Sequence, residues 1–187
     1  MPLPKSRYRA ALNPASGAGS GLLVKSIDFI RQNPLDVFWR IAIAENYDRE
    51  RLSMDELHIS MSGEYADHHV SLSWTPADEI LQLFLVFDGK LPGGRTDQIC
   101  RLLSLINERL PSGHFDFWGK DDALVYRNAM TLAGHQRLGV DQALALLSTA
   151  RDAAETGYPA CQFMLWAGQS PDEAIDSALL AKNQAAQ

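Results

Sequence analysis

The chain has 187 residues, 46% of them hydrophobic and 21% charged. A body of that size buries about 70% of its unfolded surface without needing a disulfide or metal staple. A formal net charge of -6, with no long Lys/Arg run, argues against nucleic acid and anionic lipid as partners. Residues 1 to 21 are rich in Pro, Gly, Ala and Ser, which predicts a disordered extension. That segment lacks the apolar block of about 7 to 15 residues that a secretory signal needs. Together with the absence of any run of about 18 apolar residues, this points to a cytoplasmic protein that does not insert in a membrane.

Leu22 to Ile30 could form a short helix with Leu23, Ile27 and Ile30 on one side. Asn33-Pro34-Leu35-Asp36 is a helix start: Asn can cap, Pro suits the first helical position, and Asp complements the helix dipole. Leu35, Phe38, Trp39, Ala42 and Ile43 then share one face. Leu57, Ile59 and Met61 alternate with polar residues, as do Val70, Leu72 and Trp74, which predicts an antiparallel hairpin with one wet face. Ile80 to Phe87 is apolar on both parities apart from Gln82, so it is either a central strand or one covered by a partner.

After a break at 88 to 94, Ile99, Leu102, Leu103, Ile106 and Leu110 trace a helical stripe that Pro111 and Gly113 end. Phe115 and Phe117 belong to a strand that pairs with Leu124 to Leu132, in a register that sets Asp116 opposite Arg127 as a structural ion pair. A helix from Val140 is expected to break or kink at Gly157-Tyr158-Pro159. Ser170-Pro171-Asp172-Glu173 spells a capping box that opens a last helix through Leu179. The predicted fold is α+β: a largely antiparallel sheet of about five strands packed by helices, in the order α-βββ-α-ββ-α(α). One domain is expected over 22 to 183, with a tail at 184 to 187.

Leu105-Ile-Asn-Glu-Arg-Leu, Gly113-His-Phe-Asp, Val125-Tyr-Arg, Tyr158-Pro-Ala-Cys-Gln-Phe and Trp166-Ala-Gly-Gln-Ser-Pro-Asp-Glu-Ala together resemble the bacterial YbjN family, over roughly Asn33 to Leu180. The resemblance implies a fold similar to type III secretion chaperones. It also implies a role as a sensory transduction regulator or chaperone-like protein, with no known active site or cofactor. The chain departs from the family pattern at Asn128-Ala129, where a His or similar residue often follows the Arg, and at Pro111-Ser112, where bulkier residues are common.

The residues themselves offer little chemistry. His68-His69 with Asp67 is the most ligand-like cluster, but neighbouring strand residues face opposite ways, and a solvated strand edge is the plainer reading. His114 and Asp116 share a face and would suit acid/base work only if Ser112 or Cys100 were aimed at them. Gly17-Ala-Gly-Ser-Gly lacks the Lys-Ser/Thr end of a phosphate loop, and Gly93-Gly94-Arg95 reads as a turn with Thr96 as helix cap. Cys100 and Cys161 lack a metal or disulfide spacing.

No catalytic residue, metal or cofactor is therefore assigned. Trp118, Phe163 and Trp166 are the candidates for contact with a protein partner, beside the reading of each as core. The expected function is non-enzymatic: a chaperone-like or regulatory domain that engages another polypeptide, or itself as a homodimer. The alternatives are a regulator that senses a small ligand and, more remotely, a hydrolase or metal enzyme.

Overall fold

The computed structural model describes residues 33–87, 94–134 and 136–185. The expectations for residues 1 to 21 and for a helix over Leu22 to Ile30 lie outside them. The order is α1 (Leu35–Ala44), β1 (Asp48–Ser53), β2 (Glu56–Met61), β3 (His68–Thr75), β4 (Ile80–Val86), α2 (Thr96–Asn107), β5 (His114–Trp118), β6 (Ala123–Thr131), α3 (Val140–Trp166) and α4 (Pro171–Ala185). The strands form one antiparallel sheet in the order β1-β2-β3-β4-β6-β5. The fold is α+β, with six described strands rather than about five.

The extra strand is β1, Asp-Arg-Glu-Arg-Leu-Ser, whose sequence has no apolar alternation. Its inward positions are arginines that lie along the fold instead of leaving it. Arg49 stacks over Trp39 at 5.1 Å, and Arg51 donates to the Asp36 carboxylate at 2.5 Å and to the Met54 carbonyl at 3.0 Å. The aliphatic stems cover the edge of the core while the charged heads find partners nearby.

Leu57, Ile59 and Met61 of β2, Val70 and Leu72 of β3, Leu81, Leu83 and Leu85 of β4, Phe115 of β5, and Leu124 and Tyr126 of β6 share one face and one core with the buried sides of the helices. The helices therefore pack on this inner face. Asn33 caps α1 as its sequence suggests, accepting the Leu35 N–H at 2.9 Å. The Ser170 box also forms: Glu173 Oε2 accepts the Ser170 N–H at 2.9 Å, and Ser170 Oγ accepts the Glu173 N–H at 3.3 Å. Thr96 is not a cap, because it already lies within α2, and no side chain caps that helix.

The expected break at Gly157-Tyr158-Pro159 does not occur; α3 runs unbroken for 27 residues with Pro159 inside it. A proline removes one N–H from the helix ladder, and here the surrounding packing outweighs that loss. Gly157, Pro159, Ala160 and Cys161 are all buried. Gly157 rests on the Phe115 ring so closely that a Cβ would collide with it. Tyr158 stacks on Phe87 with centroids 5.8 Å apart, Phe87 meets Phe115 at 5.7 Å, and Phe115 meets Tyr126 edge-on at 5.5 Å. This aromatic chain ties the middle of α3 to β5 and β6. Burial pushes the Cys161 thiol up to about 12, so that side chain is a packing element. The last helix continues to Ala185, two residues into the expected tail.

Candidate functional site

The site begins at the β5–β6 hairpin, where most of the candidate residues fall. The observed pairs are His114 with Arg127, Phe115 with Tyr126, Asp116 with Val125, and Phe117 with Leu124. The expected register, with Asp116 opposite Arg127, is therefore displaced by two residues. A shift of two keeps every side chain on its face, so the expected grouping of Phe115 and Phe117 with Leu124 and Tyr126 is still found. Asp116 and Arg127 meet on the diagonal, with Arg127 Nη1 3.5 Å from Asp116 Oδ2 and both side chains well exposed.

Gly113, at φ +70°, lies against the Tyr126 hydroxyl with no room for a Cβ. That hydroxyl donates to the Ser112 carbonyl at 2.9 Å and accepts from Asn128 Nδ2 at 3.3 Å; the same Asn128 amide donates to Ser112 Oγ at 3.1 Å. Ser112 and Asn128, 16 residues apart in the chain, thus meet around the Tyr126 hydroxyl as one local network. Burial raises the Tyr126 phenol above its ordinary value, opposed by the Asn128 bond.

The sheet's outer face, opposite the core, is divided. Towards β1 it carries Glu56, His58, Ser60, His69 and Ser71, with His58 Nε2 3.2 Å from Glu56 and His69 Nδ1 3.0 Å from Ser60 Oγ. Towards β5 it carries Phe84, Val86, Ala123 and Val125, which are buried yet separate from the main core. Trp118 packs on Phe84 at 6.1 Å and Arg127 lies over the same ring at 5.4 Å.

The three partner candidates are not brought together. Trp118 lies on the outer face, whereas Phe163 and Trp166 belong to α3, which packs on the inner one. Phe163 packs against the core while Trp166, one turn on, is 79% exposed. Arg95 donates to the Met164 and Leu165 carbonyls at 3.1 and 3.4 Å, closing the end of the helix that presents Trp166.

His68 is not at a solvated strand edge, because β3 is internal and the imidazole is 2% exposed. Its Nε2–H donates to Glu155 Oε1 of α3 at 2.9 Å, and the same oxygen accepts the Glu64 N–H at 2.8 Å. This bond spans 87 residues of sequence, which hides it from any reading of local spacing. It fastens the β2–β3 turn to α3 one turn before Pro159. The Tyr65 phenol in that turn is raised by desolvation and by the charges of Glu64 and Glu155. Among the described residues no group of three or more His, Cys, Asp or Glu is placed to hold a metal ion. No hydrogen bond joins His114 to Asp116, and Ser112 Oγ is engaged by Asn128 instead. No described helix is long and apolar enough to cross a membrane.

A family model described as "Putative bacterial sensory transduction regulator", the YbjN family, matches residues 34–163. The chain belongs to the YbjN family. Among solved structures, the crystal structure of YbjN from E. coli, described as "a putative transcription regulator", matches with 12% identity and a TM-score of 0.46, covering 64% of this chain and 84% of that one. No curated protein matches the sequence. The matched residues run from the first turn of α1 to Phe163 and so contain the sheet, the β5–β6 hairpin and the His68–Glu155 tie.

Proposed function

We propose that this YbjN-family chain is a non-enzymatic, chaperone-like regulatory domain that acts in the cytoplasm by binding another polypeptide or a second copy of itself. The observation that carries the reading is Trp166, a large aromatic side chain 79% exposed at the end of a long, well-packed helix. A tryptophan in water leaves a large apolar area hydrated, and such residues anchor protein interfaces when a partner covers them. Trp118, seated on Phe84 and offering its flank from the sheet, is a second anchor, and Phe163 holds the helix turn that carries Trp166. The charged groups that could suggest catalysis are engaged in structural pairs, His68 with Glu155 and Asp116 with Arg127.

Purification of the tagged full chain from its native host, followed by reconstitution with the recovered polypeptide and light scattering, tests the reading. The expected result is a complex of defined stoichiometry, or a self-dimer, that Trp166→Ala weakens about tenfold or more, as removal of an interface anchor does. A monomer that forms no complex with any polypeptide, or a complex indifferent to Trp166→Ala and Trp118→Ala together, contradicts it.

A further inference from the structure

The two edges of the sheet are closed by different means. At β1, Asp48, Arg49, Glu50 and Arg51 alternate in sign along the strand. An antiparallel second copy in the same sheet would set acid opposite acid on one face and arginine opposite arginine on the other. Arg49 and Arg51 are also folded back onto the Tyr47, Ser53 and Met54 carbonyls. That edge is protected against strand addition.

At β5 the backbone tells a different story. Residues of an antiparallel pair alternate between those that exchange hydrogen bonds and those whose N–H and C=O point away. The Leu124 carbonyl accepts from Phe87 N–H at 3.1 Å, on the β4 side, so Phe117 opposite Leu124 turns its own backbone groups outward. Phe115, two residues earlier, does the same, and both its groups are taken by one side chain. Asn107 Oδ1 accepts the Phe115 N–H at 2.7 Å, and Asn107 Nδ2 donates to the Phe115 carbonyl at 3.1 Å. A carboxamide that gives one donor and one acceptor to a single strand residue supplies what the peptide groups of a neighbouring strand would supply. Among the described residues no such group reaches Phe117.

We propose that the β5 edge receives an extended strand of the partner polypeptide, with Asn107 yielding its place on Phe115 to the partner's peptide groups. This rests on the polypeptide-binding reading above and names the surface and the form of the partner. The bound strand pairs with Phe115 and Phe117, so its alternate residues lie on two different faces. Those on the inner side lie beside Phe117, which is only partly buried where it packs against the core, whereas Phe115 is already covered; apolar β-branched residues fit beside Phe117. Those on the outer side meet His114 and Asp116, whose carboxylate is 41% exposed and 3.5 Å from Arg127; cationic residues fit there.

The test uses the full chain and a short end-capped peptide alternating valine with lysine. The control is the same peptide carrying N-methyl groups on the edge-facing amides. Amide exchange and 1H–15N shifts are followed for wild type, Asn107→Ala and Asn107→Asp. The Phe117 N–H gains protection on binding, the Phe115 N–H shifts as its acceptor changes from Asn107 to the peptide, and Asn107→Ala binds about tenfold tighter than wild type because the built-in competitor is gone. Asn107→Asp, which keeps the acceptor for Phe115 N–H, stays nearer wild type, and the methylated peptide loses binding. If Asn107→Ala does not fold, the two peptides against wild type and Asn107→Asp decide. No protection at Phe117, or equal binding of both peptides, overturns the proposal. If the polypeptide recovered from the host binds and leaves Phe117 unchanged, the edge assignment fails while the binding reading stands. If no polypeptide binds, both fail.

Discussion

The two ends of the sheet are built on different principles. At the β5–β6 end, aromatic rings interlock with α3 through Phe115, Phe87, Tyr158 and Gly157, so strand, hairpin and helix share one tightly filled volume. At the β1 end, the stabilising groups are arginines lying on the surface, paired with Asp36 or stacked on Trp39. Interior packing tolerates little change in volume, whereas exposed pairs contribute little each, so the two ends should answer very differently to substitution. The difference teaches where the fold is rigid enough to present a site. The hairpin that offers the candidate edge is also the part of the sheet bound most closely to the long helix.

The largest expected effect is Gly157→Val, which would drive a side chain into the Phe115 ring and destabilise the fold by about 3 kcal/mol in denaturant unfolding. A loss below about 1 kcal/mol would show that α3 and β5 can part easily, and would break the contrast. His68→Ala removes the donor from Glu155, whose Oε2 is already buried without a bond, and should lower stability by about 2 kcal/mol. A Glu155→Gln companion should recover part of the His68→Ala loss, because it removes the stranded charge.

Tyr126→Phe deletes the hydroxyl that links Ser112 and Asn128, with an expected loss of about 1 kcal/mol. Arg51→Ala, at the opposite end, should change stability by only about 0.5 kcal/mol, because its pair with Asp36 is half open to water. A loss at Arg51 larger than that at Tyr126 would reverse the order of the two ends.

The smallest effect is a matter of pH. The Ser170 N–H and hydroxyl hold the Glu173 carboxyl below the usual carboxylate range. The unfolded chain therefore takes up a proton there at higher pH than the folded one. The contribution of this cap is present in full above the ordinary carboxylate value and is lost as the pH falls through the depressed one. An acid titration of wild type against Glu173→Ala should converge as the pH is lowered; curves that remain parallel would contradict it.

The core faces and the Asn33 and Ser170 caps were legible because both are local, whereas Thr96, expected as a cap, lies inside α2. The alternation of Leu57, Ile59 and Met61, the stripe from Ile99 to Ile106, and the Ser170 box all appear as read. β1 was hidden because its inward side chains are arginines, and strand patterns are sought in apolar residues. Pro159 suggested a break because the helix ladder is local, while the contacts that keep α3 whole come from Phe87 and Phe115. The register at Asp116 fell two residues short because ion pairing is satisfied on the diagonal as well as directly across. Of the candidate site, the aromatic residues were visible but their exposures were not, and neither the His68–Glu155 tie nor the Asn107 bond to Phe115 has a signature in spacing.

The most direct test of the account is an amide-exchange map of the full chain, free and reconstituted with the polypeptide recovered from its host. Binding at the proposed edge predicts new protection centred on Phe117, with Trp118 or Trp166 shielded in the same complex. Unchanged exchange throughout 114–118, in a complex of proven stoichiometry, would contradict it.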